Sequence, residues 1–133
     1  VKRHCENALA VAKYLEQNDK VAYVNYCGLE NDKYHALAEK YLPNGSCGVV
    51  SFGVKGGRKA AEEFMKHLKL GSIETHVADA RTCCLHPASA THRQMNDEEL
   101  TACGVYPDLV RYSCGLEDAE DLIADLEQAF AQI

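Results

Sequence analysis

The sequence predicts an α+β fold, one sheet covered by helices on one side, and three observations carry that expectation. Apolar residues recur with helical spacing in several stretches, and between them lie short β-branched and aromatic runs. Two of these runs, Ile73 to Val77 and Thr82 to Leu85, form a short strand pair around Ala80. No glycine-rich phosphate turn of the kind that opens a parallel α/β sheet is present.

Taken in order, Cys5, Ala8, Leu9, Ala12 and Leu15 share one helical face. That pattern is already running at Val1, so the chain is expected to begin inside a helix. Val21 to Tyr26 favours a strand closed by Gly28. Tyr34, Leu37, Ala38 and Tyr41 predict a short helix between Asn31, a plausible cap, and the breaker cluster Pro43, Asn44 and Gly45. Val50, Phe52 and Val54 alternate with Ser51 and Gly53 as a half-buried strand does, before Gly56 and Gly57 turn the chain. Ala61, Phe64, Met65 and Leu68 make the next amphipathic stripe, bounded by Gly71. Pro87 ends the strand pair, and Asn96 with Glu99 predicts a capping box that opens a brief helix stopped by Gly104. Leu109 to Cys114 is the last strand. Ala119, Leu122, Ile123, Leu126 and Phe130 line the last helix, whose acidic first turn suits the positive helix N-terminus.

A chain of 133 residues with 47% hydrophobic and 26% charged residues fits one folded domain, 1–133, without an internal linker or repeat. The net charge of -6, with Lys and Arg scattered among Asp and Glu, removes the basic stripe that nucleic-acid binding requires. No apolar run approaches the ~20 residues of a membrane span, and the N-terminal residues are no secretory signal. Seven cysteines, an odd number set mostly in apolar-patterned segments, read as free, buried thiols of a reducing, cytoplasmic compartment.

Among residues that carry chemistry, Arg111 stands out because Val110, Tyr112 and Cys114 take one face of its strand and leave it on the other. A planar guanidinium there grips a carboxylate through paired charge-assisted bonds, or is simply a solvated arginine on an exposed sheet face. Cys83, Cys84, His86 and His92 raise a zinc site, but adjacent strand cysteines point to opposite faces and no CxxC occurs, so no metal is expected. The run Gly53 to Lys59 lacks the spacing of a phosphate-binding loop and reads as a strand-to-helix turn. No cysteine has an activating histidine context; His4, His35 and His67, in helical stretches beside Lys or Glu, read as surface residues.

Two elements go further than pattern. The run Arg81-Thr82-Cys83-Cys84-Leu85-His86-Pro87-Ala88-Ser89-Ala90-Thr91-His92, containing HPASxTH, is followed by Asp108-Leu109-Val110-Arg111-Tyr112-Ser113-Cys114-Gly115-Leu116-Glu117, containing RxSxGxE. With these, the chain closely resembles the Cys/Met-metabolism family of pyridoxal-phosphate enzymes. Glu6 to Ala12, Val24 to Leu29 and Ser51 to Gly57 look most like its O-acetylhomoserine sulfhydrylase branch. The similarity covers essentially all 133 residues.

The resemblance implies the small C-terminal domain of the aspartate aminotransferase-like, fold type I enzymes: a mainly antiparallel sheet with helices packed on it, entered through a long helix from a cofactor domain. It implies a parent that exchanges the acetate of O-acetylhomoserine for sulfide or another thiol with pyridoxal phosphate as electron sink. Cystathionine γ-synthase or methionine γ-lyase activity, or a non-catalytic binding module, are the alternatives. Arg111 matches the family arginine that binds the substrate α-carboxylate. His76 and Val77 fall where relatives carry Ser-Leu-Gly-Gly or Asn-Ile-Gly-Asp at the edge of the substrate site, and His76 either touches substrate or fills a turn. Ser89 and His92 belong to a turn that shapes the site. The cofactor-bearing lysine of the family lies in a Ser-x-Thr-Lys context that does not occur here. The expectation is therefore a chain that binds no cofactor and is inactive without the missing N-terminal domain. Its parent is expected to be a homotetramer, and the piece itself is expected to self-associate through uncovered apolar surface.

Overall fold

Helix and strand alternate through the computed structural model, which describes residues 1–133, except where β4 follows β3 directly. In chain order the elements are α1 (Lys2–Glu16), β1 (Val21–Asn25), α2 (His35–Tyr41), β2 (Val49–Val54), α3 (Gly57–His67), β3 (Ser72–Ile73), β4 (Cys83–Leu85), α4 (Asp97–Ala102), β5 (Leu109–Ser113) and α5 (Ala119–Phe130). The five strands form one sheet in the order β1-β2-β5-β4-β3. All pairings are antiparallel except β3 with β4, so the expected α+β sheet is present.

The last strand is the middle one. β5 inserts between β2 and β4, pairing Arg111 with Ser51 on one side and with Leu85 on the other. Its alternation decides the layers: Val110 and Tyr112, with Val50, Phe52 and Val54 of β2, are fully buried on the face covered by α1, α3 and α5. The expected one-sided helical cover is thus met by three helices. Phe64 of α3 stacks on Phe130 of α5 with centroids 4.5 Å apart, and Phe52 meets Phe64 edge-on at 5.8 Å, which locks the sheet to both helices. Asp125 of α5 closes the turn after α3 by accepting the backbone N–H groups of Lys69, Leu70 and Gly71.

Several local expectations hold and some do not. Asn96 and Glu99 form the full capping box of α4. β3 is only two residues long, so the run to Val77 expected as a strand leaves the sheet after Ile73. The α2 stripe does not face this core: Ala38 is buried, while Tyr34, Leu37 and Tyr41 are 54%, 52% and 67% exposed. Helical spacing reports that one side of a helix is apolar, not which surface it meets. Asn31 caps nothing; α2 starts at His35, and Asp32 accepts the Tyr34 N–H just before it. His4 and His35 are half-buried, not surface residues, each with a ring nitrogen 2.9 Å from a backbone carbonyl.

All seven cysteines are free, but only Cys83, Cys84 and Cys114 are buried; Cys103 is exposed, and Cys5, Cys27 and Cys47 lie between. Burial pushes the Cys114 thiol up to about 12 and raises Cys84 as well. At pH 8 both stay protonated and shielded, so a thiol-alkylating reagent labels Cys103 in the folded chain and leaves Cys84 and Cys114 unmodified until denaturant is added. Peptide mapping after brief alkylation checks this, and early label on Cys84 would contradict the packing described.

Candidate functional site

The sheet face opposite the helices carries a polar row. Asn25 of β1, Ser51 of β2 and Arg111 of β5 are cross-strand neighbours, and Asn25 Nδ2 donates to Ser51 Oγ at 3.2 Å. Tyr23 flanks the row, its ring so close to Gly53 that a Cβ there would lie 2.3 Å from it. Side chains at i and i+2 of a strand share a face, so the alternation that buries Val110 and Tyr112 also puts Arg111 and Ser113 together.

Arg111 is half-buried, and its Nη2 donates to the Thr75 carbonyl at 2.7 Å. Arg3 and Arg58 pair with Asp118 and Asp97, and Arg81 pairs with Glu74 and Asp79, whereas the exposed Arg93 and the half-buried Arg111 have no carboxylate partner. The other N–H groups of Arg111 make no hydrogen bond within the protein. A half-buried guanidinium tethered through one nitrogen is a preorganised anion fork, with less rotamer freedom to lose on binding than a free arginine.

The tether runs to the segment 74–82, which connects β3 to β4. Ala78 N donates to Ser113 Oγ at 3.1 Å, and Leu116 N donates to the Ala80 carbonyl at 2.7 Å. Thr82 gives its backbone N–H and its hydroxyl to the two oxygens of Glu117, at 2.6 and 2.8 Å, while its Oγ1 accepts from Gly115 N at 2.9 Å. A Cβ on Gly115 would fall 2.5 Å from Ala80 O and Arg81 C, so only glycine permits the approach. From α1, Asn7 Nδ2 donates to the carbonyls of Gly115 and Glu117. Arg111, Ser113, Gly115 and Glu117 therefore all face the same segment. Sequence reasoning singled out Arg111 alone; the period-two spacing of the four was the available signal, and Thr82 and Asn7 carried none.

His76 and Val77 are exposed on this segment, immediately after the carbonyl that Arg111 holds. His76 Nδ1 lies 3.4 Å from Glu74, which also pairs with Arg81 at 3.1 Å. Asp79 is held below the usual carboxylate range, first by accepting the Arg81 N–H. Ala78 adopts φ 57°, left-handed backbone that a Cβ disfavours by roughly 1–2 kcal/mol. Ala78→Gly is expected to stabilise the protein by about 0.5–1 kcal/mol, the strain relieved less the added chain entropy. Urea unfolding of the two forms measures the difference, and a loss of stability would mean that the Ala78 methyl makes compensating contacts.

Ser89 and His92 lie in the turn after β4, and neither hydrogen-bonds to Arg111 or to segment 74–82. Ser89 instead serves His86: the imidazole is buried, with Nδ1 2.7 Å from Ser89 Oγ and Nε2 2.7 Å from the Pro107 carbonyl. A carbonyl only accepts, so Nε2 carries a proton; the Ser89 hydroxyl lies within reach of both Nδ1 and the His86 carbonyl, at 2.7 and 3.4 Å. With both nitrogens occupied and Cys84 packed on Met65 in the core, these residues do not gather round an ion.

A family model for Cys/Met metabolism PLP-dependent enzymes matches residues 1–131. The chain belongs to that family. It is 47% identical over 129 residues to the homocysteine synthase of Schizosaccharomyces pombe, covering 97% of this chain and 30% of that protein. The O-acetyl-L-homoserine sulfhydrylase 1 of Thermus thermophilus is 46% identical over 129 residues, 97% of this chain and 31% of the relative. A Campylobacter jejuni structure, assigned as an O-acetylhomoserine (thiol)-lyase with N′-pyridoxyl-lysine-5′-monophosphate, superposes with TM-score 0.92 at 36% identity, over 98% of this chain and 31% of that one. The chain thus spans about a third of the length of the relatives it matches, and the fold is that of the corresponding part of a family member.

Every lysine is exposed except Lys20, whose Nζ donates to the Phe130 and Ile133 carbonyls at the end of α5. The Gly56-Gly57 turn is followed by Arg58, which is paired with Asp97. No helix is long and apolar enough to cross a membrane.

Proposed function

We propose that this chain, 1–133, is the carboxyl-terminal, substrate-binding domain of an O-acetylhomoserine sulfhydrylase, in which Arg111 receives the α-carboxylate of the amino acid. The observation that carries the reading is the half-buried Arg111 guanidinium on the helix-free face, tied to Thr75 and without a carboxylate of its own. The similarity to homocysteine synthases and O-acetylhomoserine sulfhydrylases supports the choice of branch.

Within that reading each residue has a limited task. Arg111 orients the amino acid by its carboxylate, which aligns the bond to be broken, and moves no proton. Asn25 and Ser51 keep the floor beside it polar. Val77 and His76 border the bound amino acid from the segment that Arg111 holds. Ser89 shapes the site through His86, and His92 belongs to the same turn. Pyridoxal phosphate supplies the electron sink when bound, held in this reading by parts of the full-length protein outside residues 1–133, so these residues by themselves are inactive; the parent is read as a cytoplasmic homotetramer. Uncovered apolar residues such as Leu37 and Tyr41 favour self-association of the isolated piece.

The test compares substrates on the complete protein: O-acetylhomoserine with sulfide is expected to yield homocysteine and acetate, and methionine alone is expected to be turned over slowly. Rapid methionine elimination would replace the sulfhydrylase assignment with a lyase. For the isolated chain, borohydride reduction after mixing with pyridoxal phosphate is expected to leave no stoichiometric, site-specific adduct in the peptide map.

A further inference from the structure

Arg111 spends one N–H on the Thr75 carbonyl, so the direction of its remaining N–H edge depends on where Thr75 lies. Thr75 sits in a segment without regular structure, and helix or strand hydrogen bonds do not place it. The near end is held by β4, whose Cys84 carbonyl accepts from Glu74 N at 3.1 Å, and His4 of α1 reaches the Asp79 carbonyl; the remaining anchors come from β5 and its continuation. Ser113 holds the middle through Ala78 N, and Glu117 holds the far end through both donors of Thr82, which is wholly buried.

We propose that Glu117 and Ser113 are positioning residues for amino-acid binding, acting on Arg111 through segment 74–82; the proposal rests on the carboxylate role given to Arg111 above. The chemistry at Glu117 is specific. Both of its oxygens accept, one from an N–H and one from a hydroxyl, and that hydroxyl in turn accepts from Gly115 N. A glutamine would set an NH2 group against one of these donors, and a buried donor without an acceptor is unfavourable. The result is a shift of the segment at Thr82, passed along to Thr75 and so to the guanidinium. Displacement of a binding group by about 1 Å lowers catalytic efficiency by up to about 10²-fold.

The experiment uses the complete protein with O-acetylhomoserine and sulfide. Glu117→Gln, Ser113→Ala and Arg111→Lys are compared by KM for each substrate, kcat and hydrogen exchange of the 75–82 amides. Glu117→Gln is expected to raise KM for O-acetylhomoserine roughly tenfold, with KM for sulfide unchanged, kcat within about twofold, and faster exchange at Ala78 and Thr82. Ser113→Ala, a smaller perturbation that tests the same claim if Glu117→Gln folds poorly, is expected to raise the same KM by about threefold. Combined with Arg111→Lys, the Glu117→Gln effect is expected to shrink, because the two act through one group. An unchanged KM in both variants beside a raised one in Arg111→Lys overturns this inference alone. An unchanged KM in Arg111→Lys overturns the carboxylate assignment and this inference with it. A fall in stability and kcat with KM unmoved gives Glu117 a purely structural role and also overturns it.

Discussion

Replacing Arg111 with alanine in the complete enzyme is expected to raise KM for O-acetylhomoserine roughly a hundredfold, with a smaller fall in kcat. Two charge-assisted bonds to a carboxylate contribute about 1.5 kcal/mol each at the low end, and about 3 kcal/mol corresponds to a little over two decades. Lysine keeps the charge but loses the planar fork, so Arg111→Lys is expected to recover about one of those decades. The free arginine side chain is already tied to Thr75, which keeps the entropy lost on binding small and lets most of the interaction show in KM. Steady-state kinetics with O-acetylhomoserine varied at saturating sulfide decides it. If alanine changes KM by less than twofold, the α-carboxylate is bound elsewhere.

Asp125→Ala is expected to destabilise the fold strongly, by about 3–5 kcal/mol. Asp125 is 6% exposed and accepts three consecutive backbone N–H groups, from Lys69, Leu70 and Gly71, at 2.8 to 2.9 Å. Alanine leaves these donors unpaired beside the fully buried Leu122 and Leu126 of the same helix. The turn they form delivers the chain from α3 to β3, and so to the segment that Arg111 holds. Asp125→Asn retains one acceptor oxygen and is expected to lose about half as much. Urea unfolding followed by circular dichroism measures both. A loss under about 1 kcal/mol for alanine would mean that water replaces the carboxylate without penalty.

Much of the architecture was legible from local pattern. The alternation of Val50, Phe52 and Val54 and of Val110, Tyr112 and Cys114 identified two strands and their buried faces, because side-chain direction in a strand has period two whatever the partner. Asn96 and Glu99 identified a helix start, since a capping box involves only four residues of chain. The helical stripe of α2 misled as to burial, because Tyr34, Leu37 and Tyr41 are apolar without being covered by this core.

The candidate site divides in the same way. That Arg111 lies opposite Val110 and Tyr112, and that the chain carries the RxSxGxE spacing, belonged to the sequence by itself, since both follow from positions within eight consecutive residues, 110–117. So did the family to which the chain resembled most closely, because the motifs are local. That β5 becomes the central strand, that Ser113 and Glu117 secure Ala78 and Thr82, and that Asn7 reaches Gly115 from α1 were decided only by the tertiary structure. Those contacts join residues more than thirty positions apart in the chain. No local periodicity encodes them, because the geometry that makes them arises only when the sheet closes around β5 and the apolar faces of α1, α3 and α5 are buried against it.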